Sequence, residues 1–575
     1  MILRRLYLYL VSAAALVLLA FGLAALGFTA LLFLFNDPTA QDSRTSLAGF
    51  TAMVLVAGPV WGVHFWFAWR FAMRDPYDRA SALRRLYLYW ACLGGAIGAA
   101  IAISVMAADL LRPVIDTCST VGNAFPGKGF DASGSCPAHA DWLATSQAGW
   151  IAIVLLGVWA LHFWIAGRDR AAVGETGASQ TLRRWYMYPA LFVGLLMLLM
   201  GASQTLEVGW QKIVQSQLGN FRYVGDQAGM AIGGLVLWGF HAWTVARKHA
   251  SEDRHATLRA LQGFMVLAIA IATALFGASQ ILYYALARAL GVSSPGGVNS
   301  GDISGALAAP MSVLLFYGIA WVLVRRRLAR DAGTQEADRQ AAIRRLYTNL
   351  AALVSLAAWS AGAGGLLWVL AEQAEAPLIG VSPAGWKDPV SMWGTLLVVG
   401  LGVWLAYWRH APWAADRQSL SRRLYVWAAL LGSVLAVLGG GVGMLNALLQ
   451  QLFSAHPRLN DSANLDFGHY LAVIVVAGGV GLYHWRVLRS DAAARPPKPA
   501  RAPEAATAPA LAPAGDVPLA EPAFVPPLGA HTRRYTLVVT DATDDDLHQA
   551  LAGLPPQASY RLTPDVEPAS SDPNP

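Results

Sequence analysis

At 575 residues the chain could hold several soluble domains, but 56% of it is hydrophobic, only 13% is charged, and 22 positions are tryptophan. That balance excludes an ordinary soluble protein and makes lipid the expected solvent. The formal net charge of +7 belongs to helix ends rather than to a soluble basic domain, which argues against nucleic acid as a partner.

Twelve apolar runs, from 6–35 at the start to 468–487 at the end, are long enough to cross a bilayer as helices, which takes roughly 17–25 residues. Helices are expected throughout, because a spanning segment must satisfy its own backbone. The fold class is therefore an all-α integral membrane protein. Arg4 and Arg5 precede the first run as they would in a signal peptide. That run is too long for one and its pattern recurs inside the chain, so it reads as a retained span.

The opening Leu3-Arg4-Arg5-Leu6-Tyr7 returns as Leu83-Arg84-Arg85-Leu86-Tyr87 and as Leu182-Arg183-Arg184-Trp185-Tyr186. A degraded copy, Leu258-Arg259-Ala260-Leu261-Gln262, follows, then Arg344-Arg345-Leu346-Tyr347 and Arg422-Arg423-Leu424-Tyr425. Each copy opens one apolar run and a second run follows it. The chain thus divides into units 1–76, 77–175, 176–252, 253–337, 338–416 and 417–489. With two spans each, all six point the same way, as parallel repeats.

Counted from the first Arg, a small residue sits at +18 in every unit: Gly22, Ala102, Gly201, Gly277, Gly362 and Gly440. Small residues in the outer half let helix backbones approach closely. Gln204 and Gln280 follow in units 3 and 4, where an amide is expected to hydrogen-bond across helices. The second helices carry their own signature: Trp61, His64 and Trp66 with Arg70, Trp159, His162 and Trp164 with Arg168, and Trp238, His241 and Trp243 with Arg247. Unit 4 has Phe316, Ile319 and Trp321 instead, unit 5 has Trp404, Tyr407 and Trp408, and unit 6 has Tyr483, His484 and Trp485. The repeated Arg, Tyr and Trp residues are expected to anchor the inner membrane interface.

Lys and Arg number 31 on the side of the Arg pairs and eight in the opposite loops. This bias predicts a multi-pass protein of the plasma membrane with both termini in the cytoplasm. The outer loops are short except 112–146, whose Cys118 and Cys136 could pair in an oxidising compartment. Cys92 lies inside a span and reads as a small packing residue. Residues 490–530 are rich in Pro and Ala, as an extended disordered linker is. Residues 531–566 read as a small βαβ-like cytoplasmic segment, too short to bury a core alone, and 567–575 as a disordered tail.

The repeated Arg-Arg-Leu-Tyr opening, paired with a helix ending in Trp, His and basic residues, resembles a bacterial family built from repeats of domain of unknown function 5671. The resemblance covers residues 1 to about 489, with unit 4 departing at Gln262 and Ile319. It implies a multi-pass membrane protein without an assigned reaction and brings no catalytic residues.

His64, His162, His241 and His484 should share one depth. Equal depth would suit axial ligation of a haem, and a repeated interfacial residue produces it as well; anchoring is the expected role. Asp109, Glu207 and Glu372 fall near the outer interface, so the middles of the spans lack the ionisable groups that mark coupled ion pathways. Asp544, Asp545 and Asp546 open a predicted helix, where carboxylates suit the dipole. No catalytic residue, metal site or cofactor is expected. The leading function is a membrane platform whose tail recruits a cytoplasmic partner, with membrane lipids as the other partners. A transporter or pore for an uncharged or lipid-like solute is the alternative, and a haem-bearing electron-transfer protein the weaker one.

Overall fold

The computed structural model describes residues 2–115, 140–175, 177–216, 218, 224–332, 338–378, 385–408, 419–453 and 462–493. Cys118, Cys136 and everything from residue 494, including most of the expected linker and the βαβ-like segment, lie outside the described residues. Twelve helices among the described residues are long and apolar enough to cross a membrane, and no strand occurs there. They are α1 (Ile2–Leu34), α2 (Arg44–Arg74), α3 (Ala82–Ile115), α4 (Trp142–Val173), α5 (Ala178–Ile213), α6 (Val224–Lys248), α7 (Thr257–Ala289), α8 (Ala308–Ala332), α9 (Asp338–Leu378), α10 (Lys387–Trp408), α11 (Leu420–Phe453) and α12 (Ser462–Ala493).

Every odd-numbered helix begins before its apolar run, so the Arg pairs lie within the first turns rather than in flanking loops. At the far end α12 continues to Ala493, past the point where composition placed the linker, because Asp491 is ion-paired to Arg422 on α11. Asp141 caps α4 by accepting from the backbone of Leu143 and Ala144, and Gly174, at φ 69°, turns the chain at its other end.

The packing repeats step by step. Each odd helix lies against the even helix that follows it, and α1, α3, α5, α7 and α9 also lie against the even helix of the next pair: α1 on α4, α3 on α6, α5 on α8, α7 on α10, and α9 on α12. Successive odd helices touch as well. The first pair does not pack on the last, so the array is open at both ends among the described residues.

Two packing regimes divide its depth. At the Arg-bearing ends, large side chains fill the space: Tyr87, Leu88, Ile165, Tyr186, Met187 and Tyr188 are buried together with Cys92 across the first three pairs. Val426, Tyr425 and Trp404 do the same in the last two. In the outer halves backbones close on one another instead. A Cβ at Gly277 would sit 2.6 Å from the Pro310 carbonyl oxygen, one at Gly440 2.9 Å from Ile474, and one at Gly22 3.1 Å from Val54. Gly201 presses on Ala231 and Gly362 on Leu397 more tightly still, and Ala102 is buried in unit 2. At Gly201, Gly277 and Gly362 the neighbour is backbone, the close approach that drives helix packing in lipid, while Gly22 and Gly440 meet side chains first.

Gln204 and Gln280 depart from expectation. Both are half-buried and neither forms a hydrogen bond among the described residues. Their hydroxyl neighbours satisfy themselves inside their own helices, Thr205 on Gly201 O at 2.7 Å and Ser279 on Leu275 O at 2.7 Å.

A direct check of the close-packing regime is Gly201→Leu. Forcing a side chain against the α6 backbone should cost about 1–3 kcal/mol or more, read as a lower thermal midpoint in detergent. Gly209→Leu, on the same helix, meets nothing within 4 Å and should leave the midpoint unchanged.

Candidate functional site

The repeated tyrosine, histidine and tryptophan meet in one hydrogen-bonded layer at the Arg-bearing end. Each histidine places Nδ1 against the carbonyl four residues earlier on its helix: His64 on Val60 at 2.7 Å, His162 on Val158 at 2.7 Å, His241 on Leu237 at 2.8 Å, and His484 on Val480 at 2.8 Å. A carbonyl can only accept, so Nδ1 carries the proton and Nε2 is left to accept. It accepts from the tyrosine of its own unit: Tyr7 to His64 at 3.2 Å, Tyr87 to His162 at 3.0 Å, Tyr186 to His241 at 2.8 Å, and Tyr425 to His484 at 2.9 Å.

The tyrosine oxygen in turn accepts from the preceding unit. Trp61 donates to Tyr87, Trp159 to Tyr186, and Trp404 to Tyr425, each at 2.9 Å. The relay therefore runs from indole to phenol to imidazole to carbonyl, and it crosses three junctions between units. His162, His241 and His484 are buried, whereas Tyr7 at the open end of the array is exposed. Unit 5 substitutes Tyr407, bonded to Tyr347 at 3.0 Å. In unit 4 Gln262 takes the tyrosine's place and accepts from Arg327 at 2.7 Å. Both nitrogens of every relay histidine are engaged, so an iron could be ligated only by breaking the bond to tyrosine.

Tyr186→Phe tests the relay. It strands the Trp159 indole and the His241 Nε2 in a buried place, at about 1–3 kcal/mol, and should lower the thermal midpoint clearly. Tyr7→Phe removes the same hydroxyl where water or headgroups can replace it and should do little.

One turn nearer the end of the bundle lies a layer of ion pairs. Arg4 and Arg5 share Asp78; Arg84 meets Asp169 at 2.6 Å and Arg79 meets it at 2.9 Å. Arg183 and Arg184 converge on Asp253 at 3.1 and 2.8 Å, Arg259 grips Asp331 with two bonds, and Arg422 holds Asp491 at 2.8 Å. Glu175 lies between Arg85 and Arg183 and joins units 2 and 3. Arg84, Arg85 and Arg183 are almost wholly buried, so these arginines face carboxylates inside the protein instead of headgroups. His249, just past α6, sits among them. Burial first, then the charge of Arg183, holds its imidazole below its ordinary pKa.

Breaking a buried pair from one side leaves a bare charge, which costs about 3–5 kcal/mol. Asp169→Ala should therefore destabilise the protein severely or prevent its accumulation, as judged by detergent extraction and thermal unfolding. Arg70→Ala, which loses only a contact over the exposed Trp66 ring, should cost under about 1 kcal/mol.

A second set of tryptophans points outward. Trp66, Trp164 and Trp243 are exposed, with Arg70, Arg168 and Arg247 lying over their rings at 5.1, 4.9 and 4.8 Å. Trp238 packs against the core of the first three pairs, and unit 4 carries Gln262 where a tyrosine would receive its indole.

Two of the grooves between units occupy corresponding places. The larger, about 1090 Å³, lies between α1, α3 and α4, with the start of α2 at one end. The other, about 460 Å³, lies between α9, α11 and α12 with Trp393 of α10. They occupy the same place in the repeat. Leu16 corresponds to Leu356 at +12, Gly94 to Gly432 at +10, and Val158 to Val480 four residues before the histidine. The +10 glycine keeps them open, since a Cβ at Gly94 or Gly432 would meet nothing within 4 Å; units 3, 4 and 5 carry Val193, Ile269 and Val354 there.

The sequence signalled the relay residues by their spacing but hid their acidic partners. The carboxylates fall 7 residues past His162 and His484, 12 past His241 and 14 past His64, so they share no period. The grooves had a signal, glycine at +10 in units 2 and 6, that only the packing makes meaningful.

No curated protein and no solved structure matches the chain. Residues 5–134 and 345–479 each match the family model described as a domain of unknown function, DUF5671. Each matched segment carries helices that wall one of the two grooves. The two matches are those of a protein built from repeats of the DUF5671 domain.

Proposed function

We propose that the chain is a platform in the bacterial inner membrane. In this reading six parallel two-helix repeats form one fixed array, the Arg-bearing ends and both termini face the cytoplasm, and the segment after Arg489 presents a small α/β piece to a cytoplasmic protein. The observation that supports it most is the layer of relays and ion pairs. These tie one unit to the next through buried polar groups that satisfy one another, and a carrier that alternated between two open states would have to break such bonds in every cycle. The bias of 31 Lys and Arg against eight supports the orientation. The repeated Arg, Tyr, Trp and His residues then pin the units together at the cytoplasmic interface. The 531–566 segment, too short to bury a core alone, gains one from its partner.

The test is complementation of a strain lacking the gene by a chain ending at Ala493. The platform reading expects the truncated protein to insert and melt like the full chain yet fail to complement. Full complementation contradicts it.

A second reading, binding of a lipid-like solute, is favoured by the two grooves. The wall of the groove between units 1 and 2 includes Leu10, Val17, Phe21 and Trp90, all exposed at the surface of the bundle. An opening toward the hydrocarbon suits lateral entry of an apolar molecule better than a pore along the membrane normal.

A further inference from the structure

The two grooves occupy corresponding places and both carry polar side chains, Tyr9, Thr29, Ser43, Ser46 and Tyr87 among them in the groove between units 1 and 2, yet among the described residues only the groove between units 5 and 6 is lined by buried polar atoms without a hydrogen-bond partner. In units 1 and 2 the +16 position is Ala20, which lines the groove, and the position 15 residues before the histidine is Gln147, which lies outside the groove lining and donates its amide to Phe28 O at 3.1 Å. In the groove between units 5 and 6 the same two positions are Ser360 and His469, and both line the cavity. The Ser360 Oγ and the His469 Nδ1 are buried atoms with no hydrogen-bond partner. Each such atom carries a desolvation cost unless something bonds it.

The two atoms also share a depth. Ser360 lies 13 residues beyond Tyr347 and His469 lies 15 before His484, both counted from the relay layer. At 1.5 Å per residue those are about 20 and 22 Å along the helices. Trp368 stands edge-on to the His469 ring, with centroids 4.6 Å apart and planes at 74°, and holds it against the cavity. Below them the walls are Leu353, Leu356, Ala429, Val476 and Val480.

From this we infer that the groove between units 5 and 6 binds a single-chain lipid-like molecule bearing an uncharged hydroxyl, with the chain along the apolar wall and the hydroxyl between Ser360 and His469. A hydroxyl donates once and accepts readily, so it can serve a serine and an imidazole together. Among the described residues no Lys, Arg, Asp or Glu lines the cavity, and the Glu375 carboxylate lies against Gly468 beside His469; an anionic headgroup would meet repulsion there. The volume of about 460 Å³ falls in the range of small-molecule sites. The inference rests on the second reading above, that apolar molecules enter the grooves, and it adds the polar group they carry.

The experiment uses the full chain in detergent with two photoactivatable probes, hexadecanol and hexadecane, each carrying a diazirine, and maps the labelled peptides by mass spectrometry. Hexadecanol should label α9 and α12 around the cavity about tenfold more than hexadecane, while the groove between units 1 and 2 should take both alike. Ser360→Ala and His469→Phe should erase that preference without touching labelling between units 1 and 2. Gly432→Phe fills open space and should abolish labelling between units 5 and 6 by both probes; Gly364→Leu, also open, does the same if the first variant misfolds. Should hexadecanol keep its preference in both polar variants, the hydroxyl site is overturned and the grooves stand as plain apolar sites. Should neither groove label above the exposed face of α8, the lipid-like reading falls with it.

Discussion

A tyrosine hydroxyl in a place without water needs a donor and an acceptor, and the architecture supplies both from two different units. The imidazole comes from the partner helix of the same unit and the indole from the unit before. The indole contact cannot form unless successive units dock in one register, so a local hydrogen-bonding requirement fixes a long-range arrangement. The ion pairs one turn away strengthen it, since arginines that are almost wholly buried cannot be left without their carboxylates. Small residues in the outer half add closeness but little direction. Register is therefore set at the Arg-bearing end and carried outward along stiff helices.

Unit 4 shows what happens when one term of the relay is lost. Gln262 cannot bridge an indole and an imidazole as a phenol does, and the position of the histidine is Ile319. Arg327 fills the gap by reaching Gln262, and Trp238 of unit 3 is left without its usual partner. Unit 5 also lacks a tryptophan donor from the unit before it, because Phe316 stands in that position. The relay resumes only at the junction of units 5 and 6. The two segments matching the family lie on either side of this irregular middle, and so do the two grooves.

Much of this was legible in the sequence. Twelve spans followed from apolar runs alone, and the Arg, Tyr, Trp and His residues declared themselves by recurring at fixed spacing. What recurrence could not reveal was direction. Trp61 and Trp66 look alike as interfacial residues, yet one donates into the next unit and the other faces outward beneath an arginine. The carboxylates were invisible because the connectors that carry them differ in length, and a chain folds to bring charges together in space, not at a fixed count. Gln204 and Gln280 misled for the opposite reason: a shared Gly-Ala-Ser-Gln string suggested an interhelical bond, while the glycine in it does the packing. The grooves depend on glycines that are conspicuous only beside Val193, Ile269 and Val354 at the equivalent sites.

If the relays and ion pairs hold the units in one arrangement, the array should have a single shape. Spin labels can report this at exposed helix ends, one pair at Leu34 and Phe453 on the outer side and one at Leu3 and Leu420 on the Arg-bearing side. The most direct measurement is the distance distribution of each pair by double electron–electron resonance in lipid nanodiscs. One narrow distance on each side is the result this account predicts. Two populations on both sides, exchanging in opposite senses, would mean that the junctions open and close and would contradict it.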